Sequence, residues 1–192
     1  MARPQSPDYD RRRAAILDAA ARLYAARGFN GASVADLANA CGTSKSLIYH
    51  YFPAKDDILY AVMTSHLDDL VEAAENATRA GGDAAARLAA LTRAFLRLYA
   101  GAESRHKVLL NELDNLAPRH RAEVVARQRR IIAQVEGLVR ELRPGAPALP
   151  LAMLYFGMIN WTHTWFRPDG PMDTDQLAGM ATMLMLGGVQ AS

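Results

Sequence analysis

Apolar side chains return every three or four positions along almost the whole chain, and the strict alternation of a half-buried strand never appears. From about Asp8 to Arg27 the residues Ile16, Leu17, Ala20, Leu23 and Tyr24 mark one helical face, and Gly28 supplies the stop. Ser33 followed by Asp36 forms a capping box ahead of "VADLANA", which Gly42 closes after two turns. Thr43 is placed to cap the next short helix, "SKSLIYHYF", and Pro53 ends it by driving the residue before it out of the α region. A long helix over about 55–78 follows, then "AGGD" as a break, then helices near 84–100, 104–116, 119–142, 150–166 and 174–189. The pattern predicts an all-α fold of about nine helices, with a small three-helix unit over 1–54 ahead of a larger helical domain over 55–192.

Composition sharpens this division. The 192 residues are 51% hydrophobic, enough for a real core, and carry a net charge of only +2. That small surplus is unevenly spread: residues 1–55 hold eight Lys/Arg against four Asp/Glu, while 56–192 hold fourteen against sixteen. A local basic excess suits an anionic partner, although solvated arginines on a helix face would give the same count. The single cysteine, Cys41, excludes an intramolecular disulfide, and with His50 it forms no zinc-ligand spacing, so no metal and no cofactor are expected. Residues 144–166 are free of charge, but Pro144, Pro147 and Pro150 interrupt them, leaving about 16 helical residues where a span needs about 20. The opening residues lack an uninterrupted apolar core, and Asp8, Asp10 and Asp18 oppose a transit peptide; a cytoplasmic location is expected.

The unusual chemistry lies in "GTSKSLIYHYFPAK", residues 42–55, where three ring side chains stand together on one short helix between two lysines. Two short helices joined through Gly42 form the helix-turn-helix pattern, whose second helix enters the major groove of DNA. Ile48 and Phe52, four residues apart, face inward toward Leu23, Phe29, Leu37 and Ala38, which turns Lys45, Ser46, Leu47, Tyr49, His50 and Tyr51 outward. Lys45 and Ser46 are nearest to base edges, Leu47 offers apolar contact to a thymine methyl, and Tyr49, His50, Tyr51 and Lys55 reach phosphates, joined by amides at the start of the long helix. Ser33 caps its helix and reaches a further phosphate; Thr43 and Ser44 in the turn complete the expected DNA-binding set. Arg3, Arg11, Arg12 and Arg13 are either an arm along the groove or a solvated charge run.

The same run, "AAILDAAARLYAARGFNGASVADLANACGTSKSLIYHYFPAKDDIL", resembles the DNA-binding domain of TetR-type transcriptional regulators in its Gly28-Phe29 helix end, Ser33-Val34, Leu37-Ala38, Gly42, Leu47-Ile48-Tyr49 and Phe52 followed by Lys55. The resemblance places Lys45, Ser46 and Leu47 on base-reading positions and Tyr49, Tyr51 and Lys55 on phosphate positions. Leu47 departs from the small polar residue common there. It implies a homodimer on a double-stranded DNA operator, more often a repressor, whose C-terminal domain answers to a small-molecule inducer.

The C-terminal half agrees from its own residues. "LAMLYFGMINWTHTWF" and "QLAGMATMLMLGG" are too apolar for a solvent face, so they form either a homodimer's four-helix interface, with Gly157, Ala178, Gly179 and Ala181 allowing close approach, or a buried monomer core. Asn111, Asp114, Asn160 and His163, polar groups among apolar neighbours, are candidates to line a ligand pocket with Phe95, Tyr99, Phe156, Trp161 and Trp165; as core residues the same aromatics need no ligand. "VLLNELDNL" and "YFGMINWTHTWFRPDGPMD" are similar to stretches in regulators of acyl-CoA or phenylacetate-type catabolism, which implies a coenzyme A thioester as inducer, with Arg93, Arg97 or Arg105 meeting its phosphates. No metal cluster, nucleotide-binding glycine loop or nucleophile-base pair points to an enzyme. The other class left open is a helical ligand- or partner-binding protein without DNA function.

Overall fold

In the computed structural model, which describes residues 7–191, every regular element is helical among the described residues. The helices are α1 (Pro7–Arg27), α2 (Val34–Ala40), α3 (Lys45–Tyr51), α4 (Lys55–Arg79), α5 (Ala84–Gly101), α6 (Glu103–Asn111), α7 (Pro118–Leu142), α8 (Ala148–Asn160) and α9 (Thr174–Ala191). Single 3-10 turns follow α6 at Leu113–Asn115 and α8 at Trp161–Thr164. These turns account for the two places where the expected helices overran: 104–116 and 150–166 each end in a tightened turn rather than in α-helix. Arg3 lies outside the described residues.

The chain forms two compact units, one from the N-terminal residues to His66 with Ser104–Val124, the other from Leu67–Glu103 with Val125 onward. The first turns of α4, to His66, group with the N-terminal helices, and the remainder of α4 and of α7 groups with the second unit. In the first unit Ile16, Leu17, Ala20 and Tyr24 of α1, Leu37 and Ala38 of α2, Ile48 of α3 and Ile58, Leu59 and Val62 of α4 are buried. In the second, the core is built from Leu88, Leu91 and Phe95 of α5, Leu138 and Val139 of α7, Tyr155 and Ile159 of α8 and Leu177, Ala181 and Met185 of α9. Tyr155 enters this core only because its hydroxyl meets Thr92 Oγ1 at 2.9 Å; an unbonded phenol there would cost about 1–3 kcal/mol. No helix among the described residues is long and apolar enough to cross a membrane.

Candidate nucleic-acid interface

The N-terminal unit fixes α3 by its two ends and one face. At the α2 end, Thr43 N–H donates to Ala38 O at 2.9 Å and Gly42 N–H to Asn39 O at 3.1 Å, the paired bonds of a glycine-closed helix end. Gly42 takes φ +60°, a left-handed conformation costly to any residue with a Cβ. α3 then opens on Ser44, whose hydroxyl accepts from Leu47 N–H at 3.2 Å. The cap is thus Ser44 and not Thr43, because the glycine-closed turn consumes the Thr43 amide one residue earlier. Ahead of α2 the capping box is complete: Ser33 Oγ accepts from Asp36 N–H, and Asp36 Oδ2 accepts from Ser33 N–H and hydroxyl. These bonds, the Ser33 hydroxyl first, hold the Asp36 carboxyl below its ordinary range.

With Ile48 and Phe52 buried, the opposite face of α3 presents Lys45, Ser46 and His50 to solvent, and Tyr49 is 47% exposed. Leu47 is half-buried at the edge of a cleft shared with Arg12, Arg22, Cys41, Thr43 and Tyr51. Tyr51 does not stand free as expected. Its ring lies 4.6 Å from that of Tyr9 on the first turn of α1, with His50 edge-on at 5.4 Å, because the last turn of α3 meets the start of α1. The arginine run splits three ways: Arg11 pairs with Asp8, Arg12 borders the cleft, and the Arg13 guanidinium covers the Phe52 ring at 5.1 Å.

Lys55 has a partner inside the protein. Its ammonium donates to Phe29 O at 2.5 Å and sits 4.1 Å from the Phe29 ring centroid, so it secures the loop between α1 and α2. Partial burial lowers its pKa, a trend that Glu112 opposes. The amides at the start of α4 are not an open anion site, since Ala54 N–H donates to Asp57 Oδ2 at 2.9 Å and Asp56 and Asp57 occupy the first turn. Asp56, Asp57 and His120 bring three potential metal ligands within 4.8 Å of one another. Asp56 already accepts from Ala117 N–H and from His120 Nδ1, which makes the cluster a hydrogen-bonded joint.

In the second unit, Tyr99 OH donates to Asn160 Oδ1 at 2.9 Å, and His163 Nδ1–H donates to Asn160 O at 2.6 Å. Burial raises the Tyr99 phenol well above its ordinary pKa. Phe95 is fully buried, stacks with Tyr99 and lies tilted against Phe156, so these rings pack as core. Beside them a cleft of about 30 Å³, lined by Leu96, Tyr99, Ala100, Thr162, His163 and Phe166 among others, has room for little more than one water. Asn111 and Asp114 do not fit the expected pocket. Both are exposed, Asn111 bonded to its own helix at Lys107 O and Asp114 to Arg121, so neither is a buried polar group. Trp161 is 65% exposed. Arg97 makes a two-point pair with Asp175, Arg93 approaches the same carboxylate, and Arg105 pairs with Asp18.

The outer faces of α8 and α9 expose Leu149, Met153, Leu154, Met180, Met183 and Leu184. Gly157 and Gly179 lie on this surface, whereas Ala178 and Ala181 turn inward and serve the unit's own core.

Residues 16–62 match the family model described as bacterial regulatory proteins, tetR family, and residues 81–189 match the tetracyclin repressor-like C-terminal domain. A TetR-family transcriptional regulator from Bordetella parapertussis 12822 is 36% identical over 94% of this chain and 96% of its own, with TM-score 0.88. AibR, solved in complex with isovaleryl coenzyme A and operator DNA, is 30% identical over 91% of this chain and 98% of its own, with TM-score 0.80. The transcriptional activator FasR of Mycolicibacterium smegmatis is 26% identical over 94% of this chain and 84% of its own length.

Proposed function

The chain belongs to the TetR family of bacterial regulatory proteins, and from that premise we propose that it works as a homodimeric operator-binding repressor, released from DNA by a coenzyme A thioester. The observation that carries the DNA reading is α3 itself: a helix buried on one face through Ile48 and capped at a fixed point by Ser44, with Lys45, Ser46, Tyr49 and His50 turned to solvent. Lys45 and Ser46, on the first turn, reach base edges; a lysine–guanine contact discriminates by about 1–3 kcal/mol. Tyr49 and His50 take phosphates, Leu47 a thymine methyl, and Tyr51, which lines the same cleft as Arg12, a further phosphate. Lys55 serves through the loop it anchors.

Homodimerisation is supported by the uncovered apolar face of α8 and α9, on which Leu154 is 71% exposed. A twofold pair is also what two successive major grooves demand, about 34–36 Å apart. Repression needs only that the dimer occupy promoter DNA and exclude other proteins from it. Activation, the mode that FasR's name records, needs a further contact, and the position of the operator relative to the promoter decides between them.

The inducer class is supported by the AibR complex and by the aromatic, apolar helices around Phe95, Tyr99, Phe156 and His163. Since the cleft there is nearly filled, a ligand binds by opening it, and a form with the cleft open differs from the form that fits DNA. Arg93 and Arg97, which Asp175 holds, are the cations that nucleotide phosphates would compete for.

Fluorescence anisotropy on a duplex from the chain's own upstream region tests both parts. Tight, salt-dependent binding is expected, weakened by isovaleryl coenzyme A and not by coenzyme A alone. Failure to bind that duplex above a scrambled one would overturn the DNA reading. An unchanged affinity with the thioester would overturn the inducer class alone.

A further inference from the structure

Resting on the regulatory reading above, we infer that the joint between the first turns of α4 and α7 couples operator binding to inducer binding, with Asp56 and His120 as its positioning residues. α7 begins at Pro118, and the residue before it, Ala117, has no side chain that could cap a helix. The cap comes from another helix: Asp56 Oδ1, on α4, accepts from Ala117 N–H at 3.0 Å. The second oxygen of the same carboxylate accepts from His120 Nδ1–H at 2.5 Å, so a single short side chain holds α7 at two points.

One turn further along each helix the pattern repeats. The Tyr60 ring stacks on the His120 ring, with centroids 4.2 Å apart and planes at 13°, and Tyr60 OH donates to Glu123. On the other side of His120, Nε2 lies 3.9 Å from Asp57 Oδ1, while Asp57 Oδ2 receives the Ala54 amide from the link between α3 and α4. Hydrogen bonds thus tie Asp57 to the link after the reading helix and Asp56 to His120 and the start of α7, with the His120 ring packed between the two carboxylates. All three side chains are half-buried, where such bonds are less screened than at the surface.

Asp56 has one methylene between backbone and carboxylate, so the joint has little slack. α7 cannot shift its first turn by a hydrogen-bond length without either breaking both Asp56 bonds or carrying α4 along. α7 itself runs unbroken from this joint to Leu142, and that helix is the inferred path between the joint and inducer binding. That gives two states, joined and parted, and DNA and inducer bias them in opposite directions.

The test uses the full-length dimer, hydrogen–deuterium exchange and operator titrations. In the wild type, saturating operator is expected to slow exchange at Ala117 and Arg119–Arg121 by about threefold or more, because it holds the joint closed. Asp56→Ala should speed exchange there about fivefold, as a lost cap does, and abolish the operator dependence. His120→Asn should do so more weakly. In both variants the factor by which isovaleryl coenzyme A weakens operator binding falls to within about twofold of unity, while operator affinity without ligand moves by less than about fivefold. If Asp56→Ala fails to fold, Asp56→Asn keeps an acceptor for Ala117 and should lose the coupling through His120. Exchange at these amides unaffected by operator in the wild type, or full coupling retained in the variants, would overturn the inference. Operator binding without any response to the thioester would sink the inducer class, and the exchange experiment alone would then decide the joint. No operator binding at all would sink the regulatory reading and this inference with it.

Discussion

His66 is fully buried, and its Nε2 lies 3.2 Å from Nδ1 of His106, also buried, 40 residues further along the chain. Burial, aided by the nearby Arg105 guanidinium, disfavours the charged imidazolium and lowers the His66 pKa to about 4. The sign follows from proton uptake on unfolding. Between about 4 and 6.5 the unfolded chain binds a proton at this residue that the folded chain refuses, so the folded state loses stability as pH falls through that window and regains it above 6.5. Urea denaturation should show stability falling with acid by up to about 1.4 kcal/mol per pH unit from this residue. His66→Gln should flatten that part of the profile. Asp36 and Asp175, whose carboxyls are held low by Ser33 and Arg97, lose their contributions only at more acid pH, which separates them from His66. An unaltered slope in His66→Gln would show that the proton goes elsewhere.

Among elements, α3 invites the sharpest comparisons because each end has one identifiable determinant. Ser44→Ala removes the bond to the Leu47 amide and should cost about 1 kcal/mol, whereas Thr43→Ala keeps the cap and should cost less. Thermal denaturation of the two variants ranks them, and the reverse order would return the cap to Thr43. On DNA the contrast is of another kind. Tyr49→Phe should weaken binding by a similar factor on every duplex, and Lys45→Ala should relax preference at one base pair, by about 1–3 kcal/mol, in a panel of single-substituted operators. The helices themselves were legible because their signals are local: the Ser33–Asp36 box, Gly28, Gly42 and Pro53 all act within a few residues. What stayed hidden depends on partners remote in sequence. The Asp56 cap of α7 spans 61 residues, and the Tyr9–Tyr51 stack 42. The Lys55 ammonium, expected at a phosphate, also bonds to Phe29 O, 26 residues back, a contact with no local signal. Asn111 and Asp114 stand in an apolar run yet lie at the surface, because sequence alone does not say which side of a helix or turn faces the core.

For the whole molecule, the decisive quantity is how far its function depends on a second copy. Met183 and Leu184 are exposed on the protomer and make little of its own core, so charges there should leave a protomer able to fold. Under the dimer reading the same charges would be buried against a copy of themselves, and two like charges brought together across a twofold axis repel. The double variant Met183→Glu/Leu184→Glu should therefore sediment as a monomer while unfolding within a few degrees of the wild type. Operator binding should suffer more than α3 substitutions cause, because a second reading head held at fixed spacing raises affinity about 10²-fold or more over one head alone, and that gain needs no new base contact. Half-site duplexes should then bind the variant and the wild type almost equally, since each offers one head to one groove. If the variant remained dimeric, the face of α8 and α9 would not be the interface. If it became monomeric yet kept full affinity for the intact operator, the paired-groove geometry would be wrong even with the interface correctly placed.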